Sequence, residues 1–151
     1  MKKLNKKQDG FTIIEVLIVL AIAGLIMLIV FLAVPALQRN SRNTNRRGDV
    51  ARILGATQEV INNNNGVVSS VTTANIQAAT GTLGYYGTGN VTAKAYAGGD
   101  ANGTTTDTVV VETGATCGAN GQPISGTTRQ VVALFTVETG NSGSTPICQS
   151  S

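Results

Sequence analysis

Few side chains in this sequence could do chemistry on a substrate. Histidine and tryptophan are absent from the 151 residues, which removes the commonest general base and the commonest neutral metal ligand. The two cysteines, Cys117 and Cys148, lack the C-x-x-C spacing of a zinc site or a redox pair. One disulfide formed outside the cytoplasm is the simplest prediction for them. We therefore expect no catalytic residue, no metal and no cofactor.

Three short motifs have weaker chemical interpretations. The loop from Asp100 to Asp107 offers oxygen ligands for calcium, but it lacks the spacing of an EF-hand, so a polar surface turn is favoured and calcium is left open. Asn90 and Asn102 fit the glycosylation acceptor, which is frequent by chance in such a composition. The adhesive tripeptide at residues 47–49 requires an exposed loop, whereas here it falls in a helical pattern.

The charges are segregated along the chain. The net charge is +3, and the lysines of the first ten residues, with Asp9 opposing them, account for all of it. A second basic stretch consists of Arg39, Arg42, Arg46, Arg47 and Arg52. We expect the first four of these arginines to lay their stems along a helix and to reach phosphates or water. No aromatic platform accompanies them, so a nucleic acid is not expected as a direct ligand.

A long apolar run would determine where the residues at its two ends lie. Residues 16–34 carry no charge, and at about 1.5 Å per residue they span roughly 29 Å, about one bilayer core. The run predicts a transmembrane helix. A single carboxylate, Glu15, lies at its start, and Pro35 at its end predicts a kink. Glu15 costs about 2 to 3 kcal/mol at an apolar edge unless water or a cation relieves it.

An amphipathic segment follows the apolar run. Apolar residues recur at three- and four-residue spacings over residues 50–61, which predicts a helix with one buried face. The asparagine run ending at Gly66 should stop this helix at about Asn63.

The composition after Gly66 favours turns and strands. The strongest strand signals are residues 108–113 and 129–139, and weaker ones are residues 82–86 and 91–96. The three tyrosines, Tyr85, Tyr86 and Tyr96, are expected to pack the sheet. We predict an α+β fold in which a long, kinked N-terminal helix, half transmembrane and half amphipathic, packs on a small antiparallel sheet.

The N-terminus resembles that of type IV prepilins. The resemblance covers about forty residues and is carried by Gly10 before Phe11, by the following residues up to Glu15, and by the apolar run with its later proline. It implies that a prepilin peptidase cuts between Gly10 and Phe11 and methylates the new amine of Phe11. It also implies that Glu15 meets this amine on a neighbouring subunit during assembly.

The resemblance also implies an organisation and a set of partners. Residues 1–10 would be the leader, 11–37 the transmembrane and filament-core helix, 38–65 the amphipathic helix, and 66–151 the β-rich head with the disulfide between Cys117 and Cys148. The chain would form a homopolymer with other pilin subunits, with the assembly platform and the motor ATPase as indirect partners. It would pass from the cytoplasmic membrane, with its N-terminus inside, to a surface pilus used in adhesion, motility or DNA uptake.

Several alternatives stay open at this point. Residues 1–36 also fit a secretory signal or a plain signal-anchor, although a signal core is usually about 7 to 15 residues long. Glu15 could instead snorkel to the headgroups. A minor pilin, a pseudopilin of a secretion or competence system, and a membrane-anchored adhesin that never polymerises are the rivals to a major pilin. The sequence does not choose among motility, adhesion and DNA uptake, and it names no receptor.

Overall fold

The structure is a computed structural model that describes residues 10–98, 104–140 and 143–151. It divides into two compact units, residues 1–38 and residues 39–151. Helix α1, Ile13–Asn63, contributes to both units. Of the predicted leader, residues 1–10, only Gly10 belongs to the described residues.

In the first unit, α1 has no apolar partner. The large apolar side chains of residues 11–37 are between 38% and 90% exposed. Within the described residues, α1 is the one helix that is long and apolar enough to cross a membrane by length and composition. Pro35 lies inside this helix, where it cannot donate the usual backbone hydrogen bond.

In the second unit, α1 packs one face against the head, as the amphipathic pattern predicts. Its buried apolar residues in this unit are Val50, Ile53, Leu54, Ala56, Val60 and Ile61. The helix ends where the asparagine run predicts. Asn65 and Gly66 adopt positive φ values of 57° and 79°, and the amide of Gly66 donates to the carbonyl of Ile61 at 2.8 Å. This geometry is typical of a helix end that uses left-handed residues.

Among its described residues, the head contains a second α-helix and six strands. They are α2 Thr73–Thr80, β1 Val91–Ala95, β2 Val109–Thr113, β3 Ala115–Cys117, β4 Pro123–Ser125, β5 Val131–Glu138 and β6 Ser144–Ser150. The main sheet has the order β1-β2-β5-β6, and β3 and β4 form a separate pair. The core between α1 and the main sheet includes Phe135, Val109, Val111, Val131 and Ala133.

The α+β class is confirmed, but the all-antiparallel sheet is wrong. Strands β1 and β2 run parallel, with Val91 opposite Val109, whereas β5 is antiparallel to both of its neighbours. The sheet is therefore mixed. A parallel pair requires the chain to cross back between the strands, and residues 96–108 provide that connection.

One local prediction for the head is also wrong, and one element was not predicted. Residues 82–86 form no strand, because the amides of Gly84, Tyr85 and Tyr86 donate to the carboxylate of Asp49 and not to a neighbouring strand. Helix α2 was not expected. Thr72 caps it by accepting a hydrogen bond from the amide of Asn75, as a side chain does at a helix start.

Helix α2 protects an outer edge of the sheet. Gln77 donates its side-chain amide to the carbonyl of Val91 at 2.9 Å, and the amide of Ala93 donates to the hydroxyl of Thr73 at 2.9 Å. Both backbone groups belong to β1, which is an edge strand. Unpaired edge groups are templates for aggregation, so these contacts block that edge.

Candidate functional site

The start of α1 holds the predicted processing residues. Gly10, Phe11 and Thr12 precede the helix, which begins at Ile13. Thr12 therefore occupies the capping position and Glu15 the third helical position. Gly10 has open space where a side chain would begin, and Phe11 is 90% exposed.

Thr12 and Glu15 cap each other. The backbone amide of Thr12 donates to Oε2 of Glu15 at 2.8 Å, and the Thr12 hydroxyl donates to the same oxygen at 2.7 Å. In return, the amide of Glu15 donates to Oγ1 of Thr12 at 3.3 Å. This reciprocal arrangement is a capping box, which satisfies backbone amides that have no partner within the helix.

The capping box gives Glu15 a partner that we did not predict. The sequence suggested a cation for this carboxylate, whereas here it accepts two hydrogen bonds from Thr12. The spacing Thr-x-x-Glu before an apolar run is the sequence signal for this motif. The carboxylate also lies near the positive end of the helix dipole, where a negative charge is favourable.

An open groove surrounds the capped end of α1. It is lined by Phe11, Glu15, Val16, Val19 and Leu20. Apart from Glu15, these lining residues are apolar, and they are exposed within their own unit. This arrangement offers a surface for another apolar partner, and it brings Phe11 and Glu15 to the same groove.

A second polar site joins α1 to the head within the second unit. We call it the Glu138 cluster, and its members are Arg42, Asn43, Arg46, Tyr85 and Glu138. Arg42 donates to the Glu138 carboxylate at 2.9 Å, and Arg46 does so at 2.7 Å. The side-chain amide of Asn43 donates to the backbone carbonyl of Glu138 at 2.8 Å and accepts from its backbone amide at 2.9 Å.

The Glu138 cluster corrects the expectation for two of the arginines. Arg46 is only 1% exposed, and its guanidinium lies 4.4 Å from the centre of the Tyr85 ring, within reach of a cation–π interaction. Arg42 and Arg46 thus bind Glu138 of the head and do not extend to phosphates. Hydrogen bonding by Arg42, supported by Arg46, lowers the pKa of Glu138.

Of the three motifs with weaker interpretations, the adhesive tripeptide has a clear outcome, and the loop from Asp100 to Asp107 is described only in part. Asp49 of the adhesive tripeptide is 4% exposed and binds three backbone amides, so the tripeptide is not available for recognition. Asp107 accepts a hydrogen bond from Tyr85 at 3.3 Å, but Asp100 and Asn102 lie outside the described residues. Among the described residues, no group of three or more His, Cys, Asp or Glu could hold a metal ion.

The predicted disulfide is confirmed. Cys117 of β3 and Cys148 of β6 are bonded, with their Cα atoms 5.7 Å apart, within the usual range for disulfides. The bond connects the two-stranded pair to the outer strand of the main sheet.

Tyr86 is 2% exposed, so it packs in the core as expected.

The comparison with known families agrees with the geometry at the start of α1. Residues 5–31 match the family model described as the prokaryotic N-terminal methylation motif, which is the type IV pilin signature. Comparisons with curated proteins and with solved structures gave no match. The match includes Gly10, Phe11, Thr12 and Glu15 and most of the exposed apolar helix.

The methylation motif indicates a class for this protein. It supports a type IV pilin-like or pseudopilin protein. Its signature is that of a structural subunit rather than of an enzyme. The same motif supports processing by a prepilin peptidase and polymerisation into a pilus, and it is consistent with membrane anchoring before assembly.

Proposed function

We propose that this chain is the major subunit of a type IV pilus. In this account a prepilin peptidase cuts the bond between Gly10 and Phe11, methylates the new amine, and so releases a subunit that polymerises through α1. The observation that carries the proposal is the coincidence of the methylation motif at residues 5–31 with a helix whose apolar side chains have no partner in their own unit.

The exposed apolar part of α1 requires an apolar environment both before and after assembly. Burying apolar surface is favourable by roughly 25 cal/mol per Å², so the side chains of residues 11–37 would not stay in water. The bilayer would bury these side chains in the precursor, and the packed helices of other subunits would bury them in the filament. The lysines before Gly10 favour an N-terminus on the cytoplasmic side, which would place the head outside.

Glu15 has a defined part in this proposal. Bringing it into a helix-packed core removes water from its carboxylate, which is costly unless a cation approaches. The amine of a processed Phe11 on a neighbouring subunit is such a cation, since methylation leaves it charged. Phe11 and Glu15 line the same groove, and this supports a pairing between subunits at that place.

The features of the head support a subunit that works outside the cytoplasm. A disulfide between Cys117 and Cys148 persists in an oxidising compartment. It bounds residues 117–148 near the end of the chain, as in many pilins, and this favours a true pilus subunit over a pseudopilin. The assembly platform and the motor ATPase would be separate partners, and catalysis by this chain is not part of the proposal.

Deleting the gene tests the proposal against its closest rivals. Electron microscopy of the cell surface should show no pili, and expression of this chain from a plasmid should restore them. If pili of normal length persisted at reduced number, the chain would be a minor pilin. If secretion failed while surface pili stayed normal, it would be a pseudopilin. An anchored adhesin would leave pili intact and would remain as an uncut, detergent-soluble monomer.

A further inference from the structure

The capping box determines where α1 begins and therefore how the proposed cleavage bond is held. Gly10, Phe11 and Thr12 have no helical assignment, and the helix starts at Ile13. The bond between Gly10 and Phe11 is thus kept outside the helix. The box consists of the hydrogen bonds between Thr12 and Glu15, so these two residues fix the boundary.

The sequence contains a competing start for the helix. Asp9 is also a residue type that caps helices well, although its own structure lies outside the described residues. A helix capped by Asp9 would include Gly10 and Phe11 in its first turn. Its third helical position would be Thr12, which is not the glutamate or glutamine that completes a capping box. The box at Thr12 therefore favours the later start.

We propose that Thr12 is a positioning residue for prepilin processing, because its capping of α1 keeps the bond between Gly10 and Phe11 in a non-helical segment. Proteolysis favours exposed segments without regular structure, whereas a helix holds its backbone groups in internal hydrogen bonds. This inference rests on the proposed function, since it concerns how the peptidase binds its substrate.

The cleavage step leaves the capping box intact. The oxygen of a water molecule bonds to the carbonyl carbon of Gly10, the bond to the nitrogen of Phe11 breaks, and that nitrogen leaves with a proton as an amine. All capping atoms belong to Thr12 and Glu15, which lie after the cut. The new amine therefore stays outside the helix, where a methyl donor can reach it.

The test compares cleavage of full-length precursors in detergent micelles by membranes that contain the peptidase. Thr12→Val keeps the shape of the side chain but removes the hydroxyl, and Thr12→Ser keeps the hydroxyl. Loss of the cap should let a fraction of the chains start the helix at Asp9. Because only the non-helical fraction binds, the KM for Thr12→Val should rise by about two- to fivefold, with kcat unchanged. Thr12→Ser should match the wild type.

The double variant Asp9→Ala with Thr12→Val separates this role from direct recognition of the Thr12 side chain. Alanine caps helices poorly, so the competing start is lost and KM should return toward the wild-type value. Asp9→Ala alone should leave KM unchanged. The Cα chemical shifts of Gly10 and Phe11 should move toward helical values in Thr12→Val and return in the double variant.

Several results would overturn the inference. They are an unchanged KM for Thr12→Val, a raised KM without the helical shift at Gly10, or a double variant that stays as poor as Thr12→Val. Failure of the proposed function is distinguishable from these outcomes, because the wild-type precursor itself would then not be cut between Gly10 and Phe11.

Discussion

At the scale of single residues, the proposed function gives Glu15 a part in both the precursor and the filament. In the structure its carboxylate binds the amide and the hydroxyl of Thr12. That internal partner lowers the cost of holding a carboxylate at the edge of an apolar helix. Under the proposed function, Glu15 would therefore need no cation in the membrane and would change its bonding partner on assembly.

Removing this carboxylate should separate insertion from assembly. We predict that Glu15→Ala is still inserted and still cut, because the amide of residue 15 can still donate to the Thr12 hydroxyl. Fibres should be lost, since an unpaired Phe11 amine in the filament core costs on the order of 3 to 5 kcal/mol for each subunit. The measurement is the amount of processed chain in membranes and in the sheared surface fraction.

Glu59→Ala is the matched control for Glu15→Ala. Glu59 is an exposed glutamate of the same helix within the second unit, so its loss should leave both fractions unchanged. Normal amounts of fibre from cells that make only the Glu15→Ala chain would show that the carboxylate merely snorkels at the membrane edge.

Gly10 is predicted to be required for cleavage. Replacing it with leucine should leave full-length precursor in the membrane, because a bulky side chain would obstruct the peptidase at the bond. Gly24→Ala is the control, since a side chain there also meets open space but lies far from the cut. Immunoblots of membranes report the size of the chain. Mature protein that still begins at Phe11 in Gly10→Leu would show that the recognition site is assigned wrongly.

At the scale of elements, the Glu138 cluster fastens α1 to the sheet. Glu138 ends β5, and three side chains of α1 reach its carboxylate and its backbone. We predict that Glu138→Gln destabilises the head by about 3 kcal/mol, near the low end for breaking a buried ion pair. The low end applies because the Glu138 side chain is 20% exposed.

The stability contributed by Glu138 should depend on pH in a definite direction. The pKa of Glu138 is lowered in the folded chain, first by the hydrogen bond from Arg42, so the unfolded chain takes up the proton at a higher pH. The contribution is therefore complete above the ordinary glutamate pKa of about 4.3 and is lost as the pH falls through the folded value.

The chain offers a specific probe for this pH experiment. All three tyrosines lie between residues 85 and 96, and tryptophan is absent, so tyrosine fluorescence in micelles reports unfolding of the head. Denaturant curves between pH 3 and pH 7 should converge for wild type and Glu138→Gln as the pH falls. A constant difference across this range would contradict the account.

The disulfide should stabilise the last strand, β6, more than the rest of the head. Strand β6 lies at the edge of the main sheet, with β5 as its one ladder partner, and Cys148 anchors it to β3. The loop of about 30 residues is worth roughly 3.5 to 4 kcal/mol in the chain-entropy model. Reduction should therefore raise amide exchange over β6 while residues 39–63 of α1 stay protected.

Hydrogen exchange by mass spectrometry measures this effect on the full chain before and after reduction. The double variant Cys117→Ser with Cys148→Ser should exchange like the reduced wild type. Equal loss of protection in α1 and β6 would show that the disulfide supports the whole head. Two free thiols in exported wild-type protein would contradict the bond itself.

At the scale of the whole molecule, the sequence predicted those parts that local patterns determine. The apolar run and the asparagine stop predicted α1, and valine-rich segments predicted β2 and β5 to within two residues at each end. The cysteine count predicted the disulfide. At the candidate site, Gly10, Phe11 and Glu15 were identified from one short motif, which matches the methylation family at residues 5–31.

The remaining features depend on contacts between distant parts of the chain. Arg46 and Glu138 are 92 residues apart, and no local pattern indicates that they pair. The parallel alignment of β1 with β2 depends on how residues 96–108 cross back, and the polar composition of that segment does not reveal a direction. Helix α2 has eight residues, too short for a clear periodicity.

The central claim is that this chain is cut before Phe11 and polymerises into surface fibres. Mass spectrometry of sheared surface fibres tests it most directly, with fibres from cells that lack the prepilin peptidase as the control. The account predicts that this chain is the main component and that its N-terminal peptide begins at a methylated Phe11. Fibres without this chain, or a fibre-borne chain that still carries residues 1–10, would contradict it.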